Sequence, residues 1–102
     1  MFHGKTVMIT GASVGIGRGC ALLFAQQRAS LVLLDVNAET LAALKEELKA
    51  YGVDALTYAC DISNEQQVCA AVEDATARLG KIDVLVNNAA RWRCWAPFQE
   101  VS

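Results

Sequence analysis

Short runs of mostly apolar residues alternate along the chain with longer segments in which apolar residues recur every three or four positions. A continuous apolar run predicts a strand buried on both faces of a sheet, and the longer period predicts an amphipathic helix. The runs predict strands at Lys5–Thr10, Leu31–Val36, Val53–Cys60 and Ile82–Val86.

Three segments between the predicted strands each place their apolar residues on one face of a helix. The first face comprises Ile16, Cys20, Leu23, Phe24 and Gln27. The second comprises Leu41, Leu44, Leu48 and Tyr51, and the third comprises Val68, Ala71, Val72, Ala75 and Leu79. We therefore expect these faces to pack against the sheet.

Polar residues and glycines mark the ends of the second and third helices. Asn37 is the expected N-cap of the second helix, and Gly52 follows its end. At the third helix, Ser63 and Gln66 fit a capping box, and Gly80 closes the helix.

The order of the predicted elements is β-α-β-α-β-α-β. Strands that alternate with helices pair in parallel through right-handed crossovers. The pattern therefore predicts one doubly wound α/β domain over residues 1–102, with about four strands and three helices. After Ala90 the pattern becomes irregular, and Glu100–Ser102 is expected to lead into another helix.

Composition excludes several classes of function. The chain is 54% hydrophobic with a net charge of −2, so it offers no basic face for nucleic acid. No apolar run reaches the roughly 18 residues that a membrane span needs. The four cysteines are dispersed and there is one histidine, so metal-ligand spacing is absent. We expect a cytoplasmic protein that binds no metal, nucleic acid or membrane.

A glycine-rich turn joins the first strand to the first helix. Glycines there allow positive φ and the close approach of a pyrophosphate, and the helix N-terminus presents N–H groups to that anion. Gly17 is followed by Arg18-Gly19, which differs from the Gly-Lys-Ser/Thr of a P-loop. The sequence favours a dinucleotide over a nucleoside triphosphate.

The spacing Thr-Gly-x-x-x-Gly-x-Gly, formed by Thr10, Gly11, Gly15 and Gly17, resembles the cofactor loop of the short-chain dehydrogenase/reductase family. The resemblance implies a Rossmann-like fold and an oxidoreductase that interconverts alcohols and ketones with a nicotinamide cofactor. By position it implies that the pyrophosphate and adenosine ribose are lined by Gly11, Ser13, Gly15, Ile16 and Gly17.

Asp35 ends the second predicted strand, 18 positions after Gly17. A Rossmann unit uses an acidic residue at about this distance to accept hydrogen bonds from the ribose hydroxyls. The carboxylate would repel a 2′-phosphate, and Val14 stands where NADP-preferring relatives often carry a basic residue. We expect NAD to be preferred over NADP; the alternative is a solvated aspartate that merely ends a strand.

The resemblance also assigns residues around the adenine and the nicotinamide. Asp61 would meet the adenine amino group with Ile62 beside the ring, although Asp61 could instead help to cap the third helix. Asn87-Asn88-Ala89-Ala90 is similar to the family's Asn-Asn-Ala-Gly, which implies that Asn88 borders the nicotinamide-side ribose. Ala90 departs from the usual glycine. By the resemblance Arg91–Trp95 would border the substrate cleft; the alternatives are a loop covered by the rest of the protein and a segment whose cations and aromatic rings stack on bases or on an acidic partner.

The family's proton-transfer residues, a serine and a Tyr-x-x-x-Lys, are not found in the chain. Tyr51 and Tyr58 are followed four positions later by Ala55 and Ile62. We expect the catalytic half to be absent and assign no catalytic residue, so an alcohol or ketone substrate would require the missing half. The alternative is a non-catalytic fragment that binds a dinucleotide or another protein; a homo-oligomer is possible in either case.

Overall fold

A computed structural model describes residues 3–12, 15–86 and 99–101, the last three by their backbone alone. The strands are β1 (Thr6–Thr10), β2 (Ser30–Asp35), β3 (Ala55–Ala59), β4 (Val84–Val86) and β5 (Gln99–Val101). The helices are α1 (Gly15–Gln26), α2 (Ala38–Leu48) and α3 (Glu65–Leu79), and a short 3-10 helix (Lys49–Tyr51) extends α2.

The strands form one parallel sheet in the order β3-β2-β1-β4-β5. The order reverses at β1, because the chain moves outward to β3 on one side and then returns to place β4 on the other. The doubly wound α/β fold predicted from the sequence is therefore confirmed.

Both faces of the sheet are covered, which explains the continuous apolar runs of the strands. Val7 and Ile9 of β1 point to a core shared with α1 and α2, whereas Met8 points to a second core beneath α3. All three side chains are fully buried. β1 and the centre of β2 thus need apolar residues at successive positions rather than at alternate ones.

The face with which α1 packs differs from the predicted one. Its buried residues are Gly17, Ala21 and Ala25, while Ile16 is 80% and Leu23 is 62% exposed. Small residues on the inner face let the helix backbone approach the sheet closely. The larger Cys20, Leu22 and Phe24 pack only partly against this core, so the prediction that Ile16 and Leu23 are buried was wrong.

The predicted caps of α2 are confirmed. The side chain of Asn37 accepts hydrogen bonds from the N–H groups of Glu39 at 3.0 Å and Thr40 at 3.1 Å. Gly52 follows the 3-10 extension with a φ of 69°, in the left-handed region that favours glycine.

The start of α3 differs from the predicted capping box. The helix begins at Glu65 with Asn64 as its N-cap, so Ser63 lies before the cap. Gly80 closes the helix as predicted, with a φ of 93°.

The predicted run into a helix at Glu100–Ser102 was wrong for the described part of that segment. Gln99–Val101 instead pairs in parallel with Val84–Val86 of β4. The pairing satisfies N–H and C=O groups along an otherwise open edge of β4. Among the described residues, no helix is both long enough and apolar enough to cross a membrane.

Candidate functional site

The parallel sheet brings the ends of β1, β2 and β3 to one edge. Thr10 pairs with Leu34 at the end of β1, and Asp35 pairs with Ala59 at the end of β3. Because parallel strands share their direction, the segments that follow them emerge side by side. Ligands of doubly wound sheets bind at such an edge, where the strand order reverses.

The glycine-rich loop is attached to the end of β2 by two backbone hydrogen bonds. The N–H groups of Gly11 and Ala12 both donate to the carbonyl oxygen of Leu34, at 2.8 and 3.2 Å. Gly11 and Gly15 have φ values of 65° and 57°, a conformation that favours glycine. Their lack of a side chain lets the chain turn sharply from β1 into α1.

Gly17 allows α1 to begin in direct contact with this loop. A Cβ at Gly17 would lie 2.0 Å from the carbonyl oxygen of Gly11 and 2.8 Å from its carbonyl carbon. The contact therefore tolerates only glycine, and it fixes the helix N-terminus beside the loop. The first turn of α1 contains no acidic residue, so its positive dipole end is left to an anionic ligand. This arrangement fits the pyrophosphate of a dinucleotide.

The carboxylate of Asp35 is held at the same edge by the backbone that follows it. Its Oδ1 accepts hydrogen bonds from the N–H of Val36 at 2.7 Å and from the N–H of Asn37 at 3.3 Å. The side chain of Val36 is 73% exposed next to it. The Asp35 carboxylate is thus available as a hydrogen-bond acceptor at the end of β2, the strand next to β1 and its glycine-rich loop. The side chain beside it, Val36, carries no charge.

Asp61 lies close to Asp35 along the backbone, because the residue before it, Cys60, donates its N–H to the carbonyl oxygen of Asp35 at 2.9 Å. Oδ1 of Asp61 accepts from the hydroxyl of Ser63 at 2.6 Å and from its N–H at 2.9 Å. These hydrogen bonds keep the pKa of Asp61 below its ordinary value; the bond from the Ser63 hydroxyl has the larger effect and the bond from the Ser63 N–H the smaller one. Asp61 is therefore ionised at neutral pH, and it stabilises the turn before α3, whose N-cap is Asn64.

The structure brings together seven of the residues that the sequence singled out. They are Gly11, Gly15, Ile16, Gly17, Asp35, Asp61 and Ile62. Ile62 is half-buried and packs against the core beneath α3. Ser13 and Asn88 lie outside the described residues, as do Asn87, Ala90 and Arg91–Trp95.

Gln67 also belongs to this edge, although the sequence analysis passed over it. Its side-chain oxygen accepts the N–H of Asp61 at 2.8 Å. The signal was present, because Asn64 and Gln67 have the same spacing as the capping box that was assigned to Ser63 and Gln66.

Comparison with known proteins relates this geometry to one family. Residues 5–102 match the family described as short chain dehydrogenase. The chain is 43% identical over 86 residues to the 7alpha-hydroxysteroid dehydrogenase of Escherichia coli strain K12, an alignment that covers 84% of this chain and 34% of that enzyme. The chain thus spans about a third of the length of this relative.

Solved structures show the same fold. NAD+-bound xylitol dehydrogenase superposes with a TM-score of 0.83 at 38% identity, over 88% of this chain and 35% of that one. The L-sorbose reductase of Gluconobacter frateurii, in complex with NADPH and L-sorbose, has a TM-score of 0.82 at 36% identity, over 88% of this chain and 35% of that one. These neighbours include complexes with each of the two nicotinamide dinucleotides.

Proposed function

We propose that this chain, which belongs to the short chain dehydrogenase family, is the cofactor-binding part of an oxidoreductase that prefers NAD to NADP. The proposed reaction is the interconversion of an alcohol and a ketone. When bound, NAD would accept a hydride from the alcohol, and the residues of this chain would hold and orient it.

The position of Asp35 supports the preference for NAD. A carboxylate at the end of β2 can accept hydrogen bonds from the ribose hydroxyls, each contributing on the order of 1.5–3 kcal/mol. A 2′-phosphate would place two negative groups together, and the neighbouring side chain of Val36 offers no cation. Arg18, the nearest cation along the loop and α1, forms an ion pair with Glu47 of α2.

We assign the remaining contacts from the resemblance of the sequence to the family's cofactor motifs, position by position. The pyrophosphate and adenosine ribose would lie against Gly11, Ser13, Gly15, Ile16 and Gly17. Asp61 would accept a hydrogen bond from the adenine amino group, with Ile62 beside the ring. Asn88 would border the second ribose.

Tyr58 is poorly suited to the proton transfer of such a reaction. A catalytic tyrosine of this kind needs a lowered pKa. Burial first, and then the hydrogen bond to Asp74, raise the pKa of Tyr58 to about 12. Tyr58 is therefore a poor proton donor or acceptor near neutral pH, and we place the reaction in a protein that carries further catalytic residues.

A second candidate function follows from the same tyrosine. A chain that binds the dinucleotide without turning it over would bind NAD and leave NADH and carbonyl substrates unchanged. An assay of NADH oxidation by the native protein that contains this chain separates the two candidates: the first predicts turnover with a carbonyl substrate, and the second predicts none. A cytoplasmic location and self-association belong to the proposal in either form.

Isothermal titration of the wild-type chain and Asp35→Ala with NAD and NADP tests the proposed preference. We expect the substitution to weaken NAD binding by roughly 1.5–3 kcal/mol and to change NADP binding little. Asp54→Ala is the matched control, because Asp54 is an exposed aspartate at the opposite end of the sheet, before β3. Equal losses for the two dinucleotides in Asp35→Ala would show that this carboxylate does not contact the 2′-position.

A further inference from the structure

We propose that Gln67 is a positioning residue for recognition of the adenine base, acting through Asp61. This inference rests on the proposed dinucleotide site. It adds a residue of α3 to a site otherwise assigned to the start of α1 and to residues that follow β1, β2, β3 and β4 along the chain.

Gln67 holds both ends of the turn that carries Asp61. Its side-chain oxygen accepts the N–H of Asp61 at 2.8 Å, and its own N–H donates to Oδ1 of Asn64 at 3.2 Å. Between these points, the N–H of Asn64 donates to the carbonyl oxygen of Asp61 at 2.9 Å. The backbone of Asp61 is therefore fixed relative to α3 from its N–H and from its carbonyl group.

The carboxylate of Asp61 is oriented within this turn and retains an unused oxygen. Oδ1 accepts both hydrogen bonds from Ser63, whereas Oδ2 forms no hydrogen bond with the described residues. Asp61 is exposed, so a ligand can reach Oδ2. The exocyclic amino group of adenine is a donor suited to this acceptor, whereas hypoxanthine carries a carbonyl oxygen at that position.

The hydrogen bond that the Gln67 side chain accepts from Asp61 is separable from the formation of α3. In a capping box the third helical residue accepts the N–H of the N-cap itself. Here the N-cap N–H is already bonded to the carbonyl oxygen of Asp61, and the Gln67 side chain reaches past it to the N–H of Asp61. Gln67 is exposed, so replacing it leaves the core intact.

The test compares affinities for NAD and nicotinamide hypoxanthine dinucleotide, measured by isothermal titration. Gln67→Met keeps the length of the side chain and its helix propensity but lacks the acceptor oxygen. Gln67→Glu keeps an acceptor oxygen, and Gln66→Met is the control, because Gln66 is the exposed preceding residue of the same helix. Asp61→Asn reports the loss of the proposed base contact itself.

We expect the wild-type chain to prefer NAD over the hypoxanthine dinucleotide, and Gln67→Met to reduce that preference about fivefold, the effect of one hydrogen bond. Gln67→Glu should retain most of the preference and Gln66→Met all of it. A general loss of stability would weaken binding of both dinucleotides equally and leave their ratio unchanged.

Two results overturn the inference in distinguishable ways. If Asp61→Asn loses the preference and Gln67→Met keeps it, Gln67 does not position the base contact, and the proposed function stands. If the folded wild-type chain binds neither dinucleotide, the proposed function fails and this inference fails with it.

Discussion

The carbonyl oxygen of Gly11 occupies the space that a side chain at Gly17 would need, only 2.0 Å from the position of an ideal Cβ. Gly11 is in turn bonded through its N–H to Leu34 of β2. One interatomic contact thus couples the start of α1, the glycine-rich loop and the strand that ends in Asp35.

Gly17→Ala should push α1 away from the glycine-rich loop, because the new Cβ would overlap the backbone carbonyl of Gly11. The overlap can be relieved only if α1 or the loop moves. We expect a loss of about 1–3 kcal/mol in the free energy of unfolding, as for overpacked sites, and at least a tenfold loss in NAD affinity. Urea unfolding and isothermal titration measure the two effects. Gly19→Ala is the control: a Cβ there meets nothing within 4 Å, so it should stabilise α1 by roughly 0.5–1 kcal/mol. Similar behaviour of the two variants would contradict the proposed contact.

Arg28 lies just after the end of α1, in a backbone conformation that favours glycine. Its φ is 68°, its N–H donates to the carbonyl of Ala25, and the N–H of Ala29 donates to that of Phe24, as in a Schellman motif. Arg28→Gly should therefore raise the free energy of unfolding by about 0.5–1 kcal/mol, the relief of left-handed strain exceeding the added chain entropy.

Thermal and urea unfolding of Arg28→Gly measure this gain. Arg28→Ala removes the guanidinium but keeps a Cβ, so it should give no increase in stability. A similar increase in both variants would mean that the charge, and not the backbone conformation, causes the effect.

Asp83 links the amino-terminal ends of β1 and β4. Oδ2 of Asp83 accepts the N–H of Thr6 at 2.8 Å, and the N–H of Asp83 donates to the carbonyl of Thr6 at 2.8 Å. Desolvation acts to raise the pKa of Asp83, but the Thr6 hydrogen bond and the lysines Lys81 and Lys5 together lower it below 3.8. A carboxyl whose pKa is lower in the folded state than in the unfolded state adds to the free energy of unfolding. This gain is complete above the unfolded-state pKa and is lost as the pH falls through the folded-state pKa.

Asp83→Ala should reduce the free energy of unfolding at pH 7 by about 1.5–3 kcal/mol, and this deficit should shrink as the pH falls below 3.8. Asp83→Asn should show a smaller deficit at pH 7, because its amide oxygen still accepts from Thr6. Urea unfolding across pH 2.5 to 7 at roughly constant ionic strength measures both. A deficit that does not depend on pH would rule out a role for the ionised carboxylate.

Tyr58 donates to Oδ2 of Asp74 at 2.5 Å, and Asp74 also accepts from Arg78. Asp74→Ala removes the hydrogen bond and the negative charge that help to raise the pKa of Tyr58 to about 12. Ultraviolet titration of the phenolate should show the Tyr58 transition moving toward 10, with Glu73→Ala as an exposed neighbouring control. An unchanged transition would show that Asp74 does not influence this hydroxyl.

The sequence predicted β1 and β2 to within one residue at each end, because fully buried strands carry continuous apolar runs. The inner face of α1 was missed for a physical reason. Hydrophobic periodicity favours large residues such as Ile16 and Leu23, whereas the close approach at Gly17 requires small ones. Ile16 and Leu23 are consequently left at the surface.

The start of α3 shows why local patterns can be ambiguous. Ser63–Gln66 and Asn64–Gln67 both have capping-box spacing, and the sequence does not choose between them. In the structure, the N–H and the hydroxyl of Ser63 both donate hydrogen bonds to Asp61, and Asn64 is the N-cap of α3. The same tertiary detail brings Gln67 to the candidate site.

The most direct test is to map NAD binding on the folded wild-type chain by nuclear magnetic resonance of its backbone amides. We expect NAD to shift the amide resonances of Gly11, Gly17, Val36 and Asp61, at the carboxyl edge of the sheet, and to leave that of Asp54 at the opposite edge unchanged. Absence of any shift at saturating NAD, or shifts confined to the edge around Asp54, would contradict the assignment of this edge to a dinucleotide.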